Sequence, residues 1–117
     1  MPIKTSSAKA KGRKLQQLVR DKILEIFPSL TSDDVVSTGM GQSGEDVRLS
    51  TAARKKFPYS VECKSRKKIA VYSDMDQAIR NCPKGSEPLL IVKANRRKPL
   101  AIIDAEYFFK LIQKEKS

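Results

Sequence analysis

The chain has 117 residues, enough for one hydrophobic core and too few for two. It carries 24 Lys and Arg against 13 Asp and Glu, a formal net charge of +11 with 39% hydrophobic residues. That balance fits a folded protein that meets a polyanion and excludes a wholly disordered tail. There is no histidine, so Ser-His-Asp and Cys-His catalysis, histidine–zinc hydrolysis and histidine–metal nuclease motifs are excluded together.

Charge by itself also fits a basic protein that is merely soluble, or one seated in a ribosome-like assembly. No stretch approaches the roughly 18 apolar residues of a membrane span, and the start shows no signal-peptide apolar region. Cys63 and Cys82 form neither a CxxC pair nor a disulfide framework, so the expected setting is reducing and cytoplasmic. A small histidine-free domain also suits a phage or another mobile element.

In chain order, residues 1–12 read as a flexible basic arm and residues 13–117 as one domain. Over residues 13–27, Leu15, Leu18, Val19, Ile23, Ile26 and Phe27 fall on one helical stripe, ended by Pro28. A polar loop (29–34) leads to a short strand (35–38) and then to Gly39, Gly41 and Gly44, whose spacing matches neither a Walker loop nor a dinucleotide fingerprint. Nucleotide binding is rejected.

Residues 46–49 and 59–64 each alternate polar with apolar, the mark of half-buried strands, with a basic connection at 51–58 between them. On the second strand Val61 and Cys63 share one face while Glu62 and Lys64 share the other. Ser73 followed by Asp76 resembles a capping box opening a helix with Met75, Ile79 and Cys82 inward. Residues 89–92 read as a central strand and 100–103 as another. Asp104 then caps a last helix with Phe108, Leu111 and Ile112 on its inner side. The expected fold is α/β, a mixed central sheet flanked by helices in the order α-β-β-β-α-β-β-α.

Pairing the strands 46–49 and 59–64 antiparallel brings Asp46 near Glu62. Two carboxylates with the backbone carbonyl of Cys63 are an oxygen ligand set for Mg²⁺ or Mn²⁺, and Lys64 on the face of Glu62 is placed to orient water or stabilise charge. Phosphodiester cleavage needs both functions. The clusters Arg54-Lys55-Lys56, Arg66-Lys67-Lys68 and Arg96-Arg97-Lys98, with Lys11, Arg13 and Lys14 at the start of the first helix, read as contacts to backbone phosphates. The competing reading of Asp46, Glu62 and Lys64 is a cross-strand ion pair on a solvated face.

Gly44-Glu45-Asp46-Val47 followed by Val61-Glu62-Cys63-Lys64 resembles the PD-(D/E)XK nuclease superfamily, with Glu-Asp in place of Pro-Asp and Glu62-Cys63-Lys64 as the (D/E)-X-K element. Lys11-Gly12 opening the first helix, with Ser43-Gly44 ahead of the acid, is similar to archaeal-type Holliday junction resolvases, over roughly residues 11–112. The resemblance implies a restriction-endonuclease-like core, Mg²⁺-dependent cleavage of branched DNA and a homodimer. Those resolvases commonly carry a glutamate four residues after the glycine, where this chain has Gln16, so the implied catalytic set is Asp46, Glu62, Lys64 and Gln16. Ser43 and Gln77 take supporting places. The alternatives are a nicking nuclease acting on ordinary duplex and a non-catalytic nucleic-acid-binding module.

Overall fold

Leu15, Val19 and Ile23 recur every four residues, and that spacing lays one edge of α1 (Pro2–Ile26) along a sheet and buries all three. The computed structural model describes residues 2–39 and 44–116. The apolar stripe is narrower than its sequence pattern: Leu18 and Ile26 are exposed, because a helix lying on a flat sheet covers one line of side chains. The helix also starts at Pro2, ahead of the expected start at residue 13, so Gly12 lies inside it and is buried instead of opening it.

Five strands follow: β1 (Val35–Ser37), β2 (Val47–Leu49), β3 (Tyr59–Ser65), β4 (Glu87–Lys93) and β5 (Leu100–Ile102). They lie side by side in chain order, antiparallel except for the parallel pair β3–β4. The protein is thus an α/β fold with a mixed sheet. Residues 51–58 are not a plain connection. Ser50 Oγ accepts the Ala53 N–H at 3.1 Å and caps α2 (Thr51–Lys56), a helix that stops before Pro58.

Helix α3 (Val71–Arg80) connects β3 to β4 and packs on the face opposite α1. Val35, Val47, Leu49, Val61 and Cys63 form the main core with α1, while Ala78, Leu90 and Val92 belong to the smaller layer with α3. The capping box expected at Ser73 is absent. The helix begins two residues earlier, after Ala70, with no side-chain cap, and its buried line is Asp74 and Ala78; Ile79 is exposed and Met75 and Cys82 are half-buried. Asp74 is buried against Arg66, whose guanidinium lies 3.0 Å from its carboxylate.

Asp104 caps α4 (Ala105–Lys116) as expected, accepting the Tyr107 N–H at 2.9 Å. The inward stripe expected on this helix does not form: α4 has no buried residue, and Phe108, Phe109 and Ile112 are exposed. Its anchor is Tyr107, whose hydroxyl lies 3.1 Å from that of Tyr59 on β3. Among the described residues no helix is long and apolar enough to cross a membrane.

Candidate active site

Strand β2 parts from β3 just beyond the pair Val47–Val61, and Asp46 sits at that parting. The Asp46 N–H donates to the Val61 carbonyl, and the Asp46 side chain turns back so that Oδ2 accepts the Cys63 N–H at 2.7 Å. A carboxylate thus satisfies a strand N–H that would otherwise lack a ladder partner. Because N–H and C=O of one strand residue point to the same neighbour, the Cys63 carbonyl faces this parting too.

Glu62 stands on the α3 face of β3, beside Leu90 in the parallel register, and is 2% exposed. Asn81 Nδ2 donates to its Oε1 at 3.1 Å, and Lys64 Nζ lies 3.5 Å from its Oε2. Asp46 lies within hydrogen-bonding reach of Glu62. Burial pushes the Asp46 carboxyl up to about 6; the Cys63 N–H and Lys64 oppose the rise, and the charge of Glu62 together with the shared hydrogen bond adds to it. Two acids forced together at the end of a strand pair, with a lysine beside them, form a site that a cation relieves. Burial and the same acids hold the Cys63 thiol far above its ordinary range, so it is an inert core group.

No family model, curated protein or solved structure matches this chain. The chemistry of the site therefore rests on its own geometry.

Lys64 opens onto a cleft of about 740 Å³ between α1 and the carboxyl end of β3, lined by Lys11, Gly12, Cys63, Lys64, Arg66, Lys67 and Asn95 among others. Sharing Lys11, Ser65 and Asn95 with it, a second hollow of about 580 Å³ continues past Lys14, Lys93 and Arg96. Among the described residues, no Asp or Glu lines either part. Lys11 Nζ donates to Asn95 Oδ1 at 3.0 Å and ties the two walls together. The cleft lies at the carboxyl ends of the parallel pair β3–β4, a common place for ligands in α/β sheets.

The structure sorts the candidate DNA contacts. Lys11, Lys14, Arg66, Lys67 and Arg96 line the cleft, and Lys93 joins them although it lies in no basic cluster. Arg54 does not. Its Nη2 lies 2.7 Å from both carboxylate oxygens of Glu45 and its Nη1 2.8 Å from Ser86 Oγ, so it binds α2 to the start of β2 and to β4. Lys55 lines a separate hollow with Arg54, and Lys56 is exposed on the same helix. Arg13, Lys68, Arg97 and Lys98 are exposed outside the cleft lining.

Gln16 is buried on α1, where its Oε1 accepts from Ser37 Oγ at 2.7 Å and from the Gly39 N–H at 3.3 Å. It thus holds the end of β1 and the turn at Gly39 (φ 81°), a left-handed backbone that favours glycine. Its described partners are these two residues and not the acids. Ser43 lies outside the described residues. Gln77 sits half-buried one turn before Asn81, and its carbonyl accepts the Asn81 N–H. Asn81, like Lys93, is a site residue that sequence reasoning misses. Its one signal is its position four residues after Gln77, on the same helical face.

Among the described residues no group of three His, Cys, Asp or Glu converges, so the acidic part of the site is a pair. The donor set nevertheless suits a hard divalent ion: two carboxylates and a carbonyl facing the same parting, with water and phosphate oxygens to complete the shell.

Proposed function

We propose that this protein is a metal-dependent endonuclease that hydrolyses DNA phosphodiester bonds, with a PD-(D/E)XK-type core and a preference for branched DNA of the four-way junction kind. One observation carries the reading: Asp46, Glu62 and Lys64 converge beside a cleft whose described lining is basic and free of acids. An ion pair on a solvated face would not bury Glu62, nor would it raise Asp46 to about 6.

Asp46, Glu62 and the Cys63 carbonyl would hold the ion. A bound Mg²⁺ or Mn²⁺ supplies positive charge against the phosphate and lowers the pKa of a water. Lys11, Lys14, Arg66, Lys67, Lys93 and Arg96 grip the sugar–phosphate backbone and set its register along the cleft. Lys64, held by Glu62 and open to the cleft, orients water and stabilises the charge that grows on the phosphate. Cleavage thus draws on binding, orientation and electrostatics, with no protein nucleophile.

Paired cuts across a four-way junction require two sites related by a two-fold axis, so the reading includes a dimer. The face that fits a second copy joins α3, β5 and α4. Val71, Tyr72, Ile79, Leu100, Phe108, Phe109 and Ile112 are exposed on these elements. The groove between α3 and the start of α4 is lined by Asp76, Glu87 and Asp104 and, among the described residues, by no Lys or Arg. In a chain of net charge +11, two copies repel over most of their surfaces. An apolar face carrying acids beside the lysines of α4 is where they can meet.

The test is incubation of the protein with four-way junction, flap, nicked and linear DNA in Mg²⁺, Mn²⁺ or chelator. Metal-dependent cutting of the junction is expected, together with its loss in Asp46→Asn, Glu62→Gln and Lys64→Ala while binding in Ca²⁺ persists. Equal cutting of linear duplex would remove the junction preference and leave the nuclease. Undiminished cutting by any of the three variants would overturn the site.

The second reading, a binding module without turnover, is favoured by Gln16, whose oxygen is committed to Ser37 and Gly39. It expects salt-sensitive DNA binding and no cutting with any metal.

A further inference from the structure

Helix α3 runs back along β3 and meets it at two polar points. Asp74 near its start binds Arg66, and Asn81 at its end binds Glu62. The second contact is the unusual one. A helix end carries partial negative charge, so bringing the last turn of α3 up to a buried carboxylate is unfavourable unless a donor intervenes.

Asn81 is that donor, and capping does not require its side chain. The closing main-chain bonds run from the Asn81 N–H to the Gln77 carbonyl and from the Cys82 N–H to the Ile79 carbonyl, and any residue except proline at 81 makes the first. The amide is left free for Glu62 and lies 3.1 Å from Oε1, while Lys64 stands 3.5 Å from Oε2. Each oxygen of Glu62 therefore has its own partner, which fixes the rotamer and the plane of the carboxylate against Asp46.

The chemistry of the two partners differs. A guanidinium or ammonium in place of Asn81 would neutralise Glu62 and compete with any cation the acids hold. A neutral amide orients the carboxylate and leaves its charge in place. An apolar residue would leave Oε1 buried without a donor, free to turn from Asp46.

We propose that Asn81 is a positioning residue that sets the cation affinity of the Asp46–Glu62 pair by orienting Glu62, an inference that rests on the reading of that pair as a divalent-cation site. Outer partners of this kind change metal affinity by about 10–100-fold when removed.

The experiment is Mn²⁺ titration of the full chain without DNA, followed by calorimetry and by the Mn²⁺ spin-resonance signal, for the wild type, Asn81→Leu and Asn81→Gln. Leucine has a similar volume and no donor, while glutamine keeps the amide. Thermal melting in chelator verifies that each variant is folded. Asn81→Leu should bind Mn²⁺ at least about tenfold more weakly, and Asn81→Gln should retain most of the affinity. In cleavage assays the leucine variant should need more Mg²⁺ for half-maximal rate, with its rate at saturating Mg²⁺ close to that of the wild type.

A folded leucine variant that binds Mn²⁺ like the wild type overturns the proposal, as does a glutamine variant no better than leucine. A wild type that binds no Mn²⁺ overturns it together with the cation site. A wild type that binds Mn²⁺ but cuts no DNA removes the nuclease reading alone, and a weakened leucine variant would still support the role of Asn81.

Discussion

The carboxyl groups of Asp46 and Glu62 meet where β2 parts from β3, and burial with this like-charged neighbour raises Asp46 from 3.8 to about 6. Holding two acids together in this way costs the fold stability.

Between pH 3.8 and about 6 the folded protein binds a proton at Asp46 that the unfolded chain has released. Stability therefore falls as pH rises through this window and levels off above it. In chelator, Asp46→Asn keeps an acceptor for the Cys63 N–H and removes the repulsion. It should melt above the wild type at pH 8, with the gap closing toward pH 4. Melting curves across this range check it; a variant that melts below the wild type at pH 8 would contradict the electrostatic account.

The cleft cations should act through phosphate and not through sequence. Lys14→Ala and Lys93→Ala are each expected to weaken binding to every duplex alike and to lower the slope of log affinity against log salt by about one. Lys55→Ala and Lys56→Ala, on α2, should leave that slope unchanged. Salt titrations with two unrelated sequences separate the sets.

Arg66 serves two ends, lining the cleft and neutralising Asp74. Arg66→Ala leaves a buried carboxylate uncompensated and should cost about 2 kcal/mol in urea unfolding, below the ~3–5 kcal/mol of a fully buried pair, because the Arg66 side chain is 44% exposed. Adding Asp74→Ala should recover part of that stability and none of the DNA affinity. Failure of the double variant to regain stability would mean that Asp74 is held by more than Arg66.

Phe109 is 67% exposed on the face assigned to a second copy. Phe109→Glu should convert a dimer to a monomer in sedimentation equilibrium with little change in the melting of the monomer, since the side chain is scarcely packed within its own chain. A wild type that is monomeric at all concentrations would refute the assignment of this face.

Much of this molecule was legible from periodicity. The alternation at 46–49 and 59–64 placed Asp46 by Glu62 and Lys64 beside Glu62, because side chains in a strand repeat every second residue whatever surrounds them. Leu15, Val19 and Ile23 announced a helix, and Asp104 announced the cap of another. What misled was local chemistry with two outcomes. Ser73 had a plausible partner three residues on, yet α3 begins after Ala70 without a side-chain cap and buries Asp74 against Arg66. Ser50 was the true cap, lost among the basic residues that follow it.

The sequence by itself determined the five strands, the first, third and last helices, the acid pair and the excess of positive charge, since each depends on spacing or count; it missed α2 and the first turns of α1. Tertiary structure alone decided that Asn81 reaches Glu62, that Arg54 is spent on Glu45 while Lys93 enters the cleft, and that Gln16 binds Ser37 and Gly39. These partners lie between 9 and 23 residues apart in the chain, where no local period operates. Only the packing of α1, α2 and α3 around one sheet chooses which polar group meets which.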